Sequence, residues 1–386
     1  MRRAATGTFQ TTRFGDEPVR AFVPFDLPPQ PPIDLSSIHL LLERAHLALG
    51  RLDSVSTLLP GTGLFLYTYI RKEALLSSQI EGTQSSISDL LLFEIEQAPG
   101  APLDDVVEVS NYVAAMQHGL DRLRSGFPLS NRLICEIHQQ LLNKGRGSTK
   151  QPGEFRTTQN WIGGTRPGNA HFVPPPVERL ADCLSALERY LHRTDDGLPT
   201  LVRIALAHVQ FETIHPFLDG NGRAGRLLIT FLLCHAQMLR EPMLYLSLYF
   251  KQNRDEYYRL LDVVRQDGDW EAWLTFFLEG VIKTANGAVE TARRLTTLFD
   301  ADHVKVQQRG RKASSALRVH EALKRRPVTT LQDVVKTTKL TFPTASTSMD
   351  LLHELGIARE VTGKRRNRVF AYGHYLDILN EGTESP

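Results

Sequence analysis

Apolar residues recur at every third or fourth position along most of the chain, which is the spacing of helices that bury one face. Polar residues fill the positions between them, and glycine or proline closes many of the segments. The pattern predicts ten helices, over residues 36–50, 64–80, 85–98, 104–124, 129–143, 177–193, 199–213, 222–239, 253–267 and 269–294. The expected fold class is therefore mainly α.

Two stretches interrupt the helical pattern. Residues 18–36 are rich in proline and apolar side chains, and we expect them to form an extended arm laid over the body. Further along, Asn160–Ile162 and His171–Val173 flank a cluster of Gly, Pro and Asn, which predicts a small β-hairpin. Three consecutive prolines at 174–176 end this hairpin.

Beyond Gly310 the elements become shorter and follow a different order. Three helices followed by two short strands around a basic turn are typical of a winged helix-turn-helix domain. The predicted helices are Ser314–Arg325, Thr330–Thr337 and Thr344–Leu355, and the predicted strands are Ile357–Val361 and Arg368–Tyr372.

The composition excludes several classes of protein. Hydrophobic residues make up 41% of the 386 residues, so real cores can be filled. No apolar run approaches the ~20 residues that span a bilayer, and no secretory signal follows the N-terminal arginines. Three widely spaced cysteines, Cys135, Cys183 and Cys234, exclude a disulfide scaffold, and the reducing cytoplasm is the expected location.

Charge is distributed unevenly along the chain. Residues 303–386 contain 15 Lys or Arg against 8 Asp or Glu, whereas the remainder contains 30 against 35. This asymmetry suggests that only the C-terminal part meets a polyanion. The presumed recognition helix, however, has no Arg or Lys and carries Asp350 and Glu354. Contact of residues 310–372 with DNA, contact with a protein, and a merely solvated basic surface all remain open.

One short segment, residues 215–226 (HPFLDGNGRAGR), concentrates the candidate chemistry. Its Gly-Asn-Gly run, 220–222, tolerates positive φ, so successive backbone N–H groups can converge on an anion at a helix N-terminus. Arg223 and Arg226 are three residues apart and can add guanidinium contacts to phosphates. The segment therefore predicts a phosphate site.

Two further side chains of this segment suit phosphoryl chemistry. Asp219 offers the hard oxygen ligand that a Mg²⁺ ion bridging two phosphates requires. His215, whose ordinary pKa is near ~6.5, can take a proton from a hydroxyl nucleophile at neutral pH. A P-loop is excluded because GxxxxGK[ST] is absent, and a zinc site from His208, His215 and His235 lacks the HExxH spacing.

The segment resembles the HxFx(D/E)GNGRxxR signature of the Fic family and matches it at every defined position. The resemblance covers roughly residues 60–283 and implies a Fic-type helical core in which the predicted hairpin is a flap. Similar surroundings are Ile137-His138, residues 152–156 (PGEFR), Leu246-Ser247, Tyr257-Tyr258 and residues 270–273 (WEAW).

This resemblance implies a protein adenylyltransferase of class EC 2.7.7, which transfers AMP from ATP to a Ser, Thr or Tyr hydroxyl of a target protein. His215 is then the general base, Asp219 holds Mg²⁺ (or Mn²⁺), and Arg226 meets the γ-phosphate. An unidentified target protein docks on the flap, residues 160–173, by strand addition, and a homodimer is expected. The residues expected to bind ATP are Gly220, Asn221, Gly222, Arg223, Ala224, Gly225 and Arg226, with Asn253, Tyr257 and Tyr258 as nucleoside-pocket candidates whose alternative role is packing in the core.

A second resemblance lies upstream. Residues 77–82 (SSQIEG) fit the (S/T)xxxE(G/N) inhibitory motif of Fic proteins that carry the inhibitor before the core. Ser77 and Glu81 are four residues apart and project from one helix face. The resemblance implies that Glu81 pairs with Arg226, fills the γ-phosphate position and prevents productive ATP binding. A polar helix end before a glycine is the alternative interpretation.

On this interpretation the chain divides into four parts: an N-terminal arm and helices with the inhibitory motif (1–110), a Fic catalytic core (111–283), a helical linker (284–309) and a winged helix-turn-helix domain (310–386). Two other functions also fit the sequence. A de-AMPylating hydrolase would use a carboxylate such as Glu81 to orient water. A nucleotide-sensing transcriptional regulator would act through the last domain.

Overall fold

The computed structural model of the chain describes residues 4–15, 17–58, 62–96, 103–193, 196–364 and 366–383. These residues are mostly helical and add two small antiparallel sheets, so the predicted mainly α fold is confirmed. None of the helices in these ranges is both long and apolar enough to cross a membrane.

An antiparallel hairpin precedes the helices. Its strands are β1 (Gly7–Phe14) and β2 (Glu17–Pro24), so the irregular arm predicted over 18–36 is wrong for its first part. Prolines occur only near the two ends of β2, where a missing N–H disturbs the ladder least. Val19 and Ala21 are buried on either side of the exposed Arg20, and every residue from Ala21 to Pro24 is buried, so the second half of the strand is covered on both faces.

Eleven α-helices follow in the described part of the chain up to residue 307. They are α1 (His39–Leu58), α2 (Thr62–Ile80), α3 (Ile87–Glu96), α4 (Leu103–Arg124), α5 (Asn131–Leu141), α6 (Val177–Leu191), α7 (Thr200–Ile214), α8 (Asn221–His235), α9 (Ser247–Gln252), α10 (Arg254–Asp267) and α11 (Trp270–Gln307). All ten predicted helices are present, and the end predicted for the third one, residues 97–98, lies outside the described residues. The short α9 was missed because it spans less than two turns.

Helix α7 occupies the centre of the body. Every residue from Ile204 to Ile214 is buried, and α7 packs against α6, α8, α10, α11 and β2. Helix α8 is similarly enclosed from Ala224 to Leu233. A helix that is apolar on all sides is held by neighbours on all sides. The loop between α7 and α8, residues 215–220, is therefore fixed at both ends by the most buried helices of the molecule.

The predicted flap hairpin is present but short. Its two arms meet in a single antiparallel bridge between Ile162 and Phe172. The arm after the turn lies beside β2 of the N-terminal hairpin, because the N–H of Phe22 donates to the carbonyl of Val173 at 2.9 Å. The flap is thus one component of a small sheet-like layer that includes β2.

The C-terminal region contains the three helices and two strands that were predicted, and it adds a strand and a helix that were not. Its strands form a sheet in the order β3–β5–β4, and the long α11 leads into it as one continuous helix. In chain order the elements are α12 (Ala313–Arg325), β3 (Val328–Thr330), α13 (Leu331–Thr338), α14 (Phe342–Glu354), β4 (Ala358–Glu360), β5 (Val369–Tyr372) and α15 (Gly373–Asn380).

Candidate active site

The loop that follows α7 begins with an unusual backbone conformation. His215 has φ +49° and ψ +61°, a left-handed conformation that is uncommon outside glycine. Its N–H caps the helix by donating to the carbonyl of Phe211 at 3.0 Å. At the other end, the Asn221 side chain accepts from the N–H of Phe217 and donates to its carbonyl, both at 2.8 Å. Local hydrogen bonds therefore hold the imidazole in a defined place.

The Gly-Asn-Gly run forms a simpler anion site than we predicted. Gly220 has a φ of +78° and precedes α8, whereas Asn221 and Gly222 are already helical. The groups available to an anion are therefore the unpaired N–H groups of the first turn of α8, favoured by the helix dipole.

Two side chains from the segment before and within the flap hold the His215 backbone. Nε of Arg156 donates to the carbonyl of His215 at 3.1 Å, and its Nη2 donates to the carbonyl of Pro175 at 2.6 Å. Nδ2 of Asn160 donates to the carbonyls of His215 (3.1 Å) and Phe217 (2.8 Å). The left-handed turn is thus tied directly to the base of the flap.

His138 supports the same loop from below. Its ring stacks on Phe217 with centroids 3.6 Å apart and an interplanar angle of 5°. The N–H of Gly153 donates to Nδ1 at 2.9 Å, so Nε2 carries the proton and donates to the carbonyl of Asp219 at 2.9 Å. Burial lowers the pKa of His138 to about 4, which keeps this arrangement neutral.

The His215 side chain is prepared to accept a proton at neutral pH. Its Nδ1 lies 3.3 Å from the carbonyl of Glu212, which can only accept, so Nδ1 bears the proton and Nε2 keeps its lone pair. Burial lowers the pKa of His215 to about 4, and the nearby Arg265 and Arg156 add to the effect. The imidazole is therefore neutral at pH 7.

Glu81 and Arg226 form an ion pair at the first turn of α8. Nη2 of Arg226 lies 2.7 Å from Oε1 of Glu81, while its Nε donates to Oγ of Ser77 at 2.8 Å. Burial favours the neutral carboxyl, but the Arg226 guanidinium outweighs it and lowers the pKa of Glu81. A Cβ on Gly222 would lie 2.4 Å from Oε1 of Glu81, so only glycine leaves space for the carboxylate.

Arg223 points away from Arg226. Its Nη1 lies 2.8 Å from Oε1 of Glu108 in α4, and its Nη2 lies 3.7 Å from Oδ1 of Asp219. Its side chain is only 1% exposed, so this arginine ties α8 to α4 instead of lining the open cavity. The sequence placed both arginines on one helix face, and the buried Glu108 is what separates their roles.

Asp219 stands as a single carboxylate beside the loop. Its Oδ1 accepts from the N–H of Gly220 at 2.6 Å, and the side chain is 32% exposed. Within the described ranges, no group of three or more His, Cys, Asp or Glu side chains is arranged to hold a metal ion. Mg²⁺ commonly takes one or two carboxylates together with substrate phosphates and water. Asp219 fits that role only in combination with a bound nucleotide.

A cavity of about 430 Å³ opens between the loop, the flap and α10. Of the predicted ATP-binding residues, Gly222, Arg226, Tyr257 and Tyr258 line it together with His215 and Glu81. Tyr257 is also a core residue, because its hydroxyl lies 2.8 Å from Nε2 of His208. Asn253 does not line the cavity; its Nδ2 donates to the carbonyl of Tyr249 at 2.9 Å.

Several lining residues were not found from the sequence. Glu212 is buried with its pKa raised to about 7, mainly by that burial, and a Cβ on Gly225 would lie 2.2 Å from its Oε1. The lining residues on α10 are three or four residues apart along one face of this helix, which also carries Tyr257 and Tyr258. The helical period could therefore have identified them from the sequence. The remaining lining residues are Trp161, Ile162, His171, Arg254, Leu261, Asp262 and Arg265.

Two family models match consecutive parts of the chain. The Fic/DOC family N-terminal model matches residues 39–121, and the Fic/DOC family model matches residues 128–233. The chain is a Fic family protein. The N-terminal match contains Ser77 and Glu81, and the Fic match contains His215 and Arg226. Both members of the ion pair between Glu81 and Arg226 therefore lie in matched Fic segments.

Curated relatives resemble only part of the chain. A protein named Protein adenylyltransferase Fic from Drosophila grimshawi is 31% identical over 186 residues, which is 48% of this chain and 35% of the relative. Its namesake from Culex quinquefasciatus is 31% identical over 209 residues, covering 53% of this chain and 39% of the relative. The matched part thus spans little more than a third of these relatives.

Solved structures share the Fic fold over a larger part of the chain. A Fic family protein from Desulfovibrio desulfuricans aligns with a TM-score of 0.58 at 20% identity, covering 89% of this chain and 98% of its own. A Fic domain-containing signaling protein from Bacteroides thetaiotaomicron aligns with a TM-score of 0.52 at 20% identity, covering 65% and 97%. At these identities the likeness concerns the fold.

Proposed function

We propose that this Fic protein transfers AMP from ATP to a Ser, Thr or Tyr hydroxyl of a target protein. The observation that carries the proposal is that the neutral imidazole of His215, the first turn of α8 and Arg226 all face the 430 Å³ cavity. A base and a phosphate site in one cavity are what nucleotidyl transfer to a hydroxyl requires. The name of the curated relatives, Protein adenylyltransferase Fic, supports the same activity.

In the proposed reaction, Nε2 of His215 takes the proton of the target hydroxyl. The hydroxyl oxygen forms a bond to the α-phosphorus of ATP as the bond to the leaving pyrophosphate breaks. The N–H groups of the first turn of α8 and the guanidinium of Arg226 stabilise the negative charge of the phosphates. When bound, a Mg²⁺ ion held by Asp219 and the phosphates would neutralise further charge.

The ion pair of Glu81 with Arg226 would restrain this reaction. The ionised carboxylate of Glu81 is paired with the guanidinium of Arg226, which lines the cavity near the start of α8. The Glu81 carboxylate would repel a γ-phosphate that approached Arg226, and the guanidinium would already be paired with Glu81. We infer that the chain, with Glu81 in this position, is autoinhibited.

The flap offers only one edge to a target segment that would dock by strand addition. Ile162 and Phe172 exchange two backbone hydrogen bonds, at 2.8 and 3.1 Å. The backbone N–H and C=O groups of Trp161 and Gly163 therefore point away from the other arm of the flap, toward its free edge. The other arm is already covered by β2. We therefore infer that a target adds to the edge formed by residues 161–163, next to the Asn160 contact with the His215 loop.

Replacement of the proposed base tests the activity. In a Glu81→Gly background, His215→Ala should lower the incorporation of label from α-³²P-ATP into protein by about a hundredfold or more, because general base catalysis contributes roughly that factor. His235→Ala, an exposed histidine at the end of α8, should leave the rate unchanged. Retention of more than a few per cent of the rate by His215→Ala would refute the assignment.

A further inference from the structure

The inhibitory helix α2 is held on two opposite sides. Ser77 and Glu81 face Arg226, and Gln79 lies two residues from Ser77, which is about 200° around the helix. Lys72 is seven residues before Gln79 and shares its side of α2. Both of these side chains are buried, with exposures of 2% for Lys72 and 7% for Gln79. The back of α2 therefore has a polar contact that the proposed inhibition does not use.

The partner on this back side is Glu381–Thr383, the segment that follows α15, which we call the latch segment. Nζ of Lys72 donates to the carbonyl of Glu381 at 2.8 Å. Nε2 of Gln79 donates to the carbonyl of Thr383 at 3.0 Å and to that of Ser85 at 3.0 Å. Two buried side chains of α2 thus depend on backbone carbonyls from the far end of the described chain.

The latch segment is itself firmly anchored. Both carboxylate oxygens of Glu381 lie within 2.5–2.6 Å of the guanidinium nitrogens of Arg294 in α11. Thr383 is 4% exposed, and its N–H donates to the carbonyl of Asn380 at 2.9 Å. A Cβ on Gly382 would lie 3.1 Å from Cδ1 of Leu248, so this residue packs closely on α9. Gly382 and Thr383 are packed, whereas the ion pair of Glu381 lies at the surface, with its side chain 57% exposed and that of Arg294 39% exposed.

We propose that the latch segment stabilises α2 in the position that presents Glu81 to Arg226, and that releasing it raises the rate of AMP transfer. The inference rests on the proposed inhibition by Glu81. Displacement of α2 must break the Lys72 and Gln79 hydrogen bonds as well as the Arg226 pair. Because α15 follows β5 directly, a rearrangement of the C-terminal sheet region would reach the active site through this segment.

A chain that ends at Asn380 tests the proposal. It should incorporate label from α-³²P-ATP about tenfold faster than the full chain, since two hydrogen bonds to buried groups are lost, each typically worth a factor of about two to ten. In a Glu81→Gly background the same truncation should change nothing, because the inhibitor is already absent. Equal rates with Glu81 present, or equal acceleration in both backgrounds, would overturn the proposal.

A point variant guards against unfolding of the truncated chain. Arg294→Ala removes the anchor of Glu381 and should raise labelling in the same direction. Arg293→Ala, the neighbouring arginine of α11, pairs with Glu290 on the surface and should leave the rate unchanged. If both variants behave alike, the acceleration does not come from the latch segment and the proposal fails.

Hydrogen exchange separates this proposal from the proposed function. In the full chain without nucleotide, backbone amides of residues 72–81 should exchange more slowly than in Arg294→Ala, by a factor of about two to five, the size expected for an exposed ion pair. This result would support the latch segment even if Glu81→Gly showed no AMP transfer, which would refute the function alone. Unchanged exchange in Arg294→Ala would overturn the latch segment whatever the activity.

Discussion

At the scale of single residues, Arg226 is the side chain for which two anions would compete in the proposed reaction. Its guanidinium is buried and bound to Ser77 and to the carboxylate of Glu81. A phosphate can use the same donors only when the carboxylate has left. The strength of the proposed inhibition would therefore equal the difference in free energy between two charged contacts to one arginine, in a site where water screens neither contact well.

We expect Glu81→Gly to raise AMP incorporation about ten- to a hundredfold. A hydrogen bond to a charged group is worth about 1.5–3 kcal/mol, and each 1.4 kcal/mol is a factor of ten. Initial rates with α-³²P-ATP measure the effect. The gain should disappear in Glu81→Gly/Arg226→Ala, because the arginine that mediates the inhibition is gone.

Two outcomes of this experiment would change the picture. If Glu81→Gly labels itself and added proteins no faster than the parent chain, the ion pair is not inhibitory. If it loses the ability to remove AMP from modified protein, Glu81 orients a water and the hydrolase becomes the better description.

The protonation of His215 gives a second prediction at this scale. Because burial and two arginines lower its pKa from 6.5 to about 4, the free protein should keep this imidazole neutral well below pH 6. The ¹⁵N shifts of the ring, assigned by comparison with His215→Ala and recorded without nucleotide, measure the midpoint. A midpoint at or above 6.5 would contradict the burial argument.

At the scale of elements, Asn160 joins the flap to the loop of residues 215–220 through two hydrogen bonds. Asn160→Ala removes donors to two carbonyls of the loop and should lower the AMP transfer rate about ten- to a hundredfold, since small misplacement of a catalytic group costs this much. The KM for ATP should change little. Gln159→Ala is the matched control, because the Gln159 amide donates to the carbonyls of Asn160 and Pro174 and not to the loop of residues 215–220.

An equal loss of rate in Gln159→Ala would show that general disorder of the flap, and not the tie to His215, causes the defect. A normal rate in Asn160→Ala would show that Arg156 alone holds the left-handed turn.

Local patterns predicted the elements well and their partners poorly. Helical spacing placed α7 and α8, and the motif between them marked His215 and Arg226. Strand β2 was missed because prolines at its ends resemble those of an irregular arm. The separation of Arg223 from Arg226 depends on Glu108, which is more than a hundred residues away. Such long-range contacts leave no periodic signal in the sequence.

At the scale of the whole molecule, α11 joins the helical body to the C-terminal sheet region. Asp302 of α11 is 1% exposed and accepts from the hydroxyl of Tyr372 in β5 at 2.8 Å, while Lys305 lies 2.6 Å from its other oxygen. His320 lies 3.1 Å from the same hydroxyl. The buried carboxylate of Asp302 thus connects α11 to the C-terminal sheet. Contact of residues 310–372 with DNA or a protein stays a prediction.

Tyr372→Phe should lower the free energy of unfolding by about 1–3 kcal/mol, because it leaves the buried Asp302 short of a donor. Denaturant unfolding followed by circular dichroism measures the change. Tyr249→Phe is the control, because the Tyr249 hydroxyl donates to the exposed Glu279 carboxylate over a long distance of 3.4 Å. Its free energy of unfolding should stay within about 0.5 kcal/mol of that of the parent chain. A loss in Tyr372→Phe no larger than in this control would mean that Lys305 satisfies Asp302 alone.

The proposed inhibition by Glu81 and the proposed phosphate binding by Arg226 both depend on the absence of a side chain at Gly222. The missing side chain leaves an opening the size of a few atoms, and the carboxylate of Glu81 now fills it. A Cβ at this position would also lie 3.0 Å from Nη1 of Arg226, so a phosphate bound to that guanidinium in place of Glu81 would need the same space. Replacing Gly222 by a larger residue should therefore weaken the proposed inhibition and the proposed AMP transfer together. The balance between inhibition and transfer can change separately only through the residues that surround Gly222.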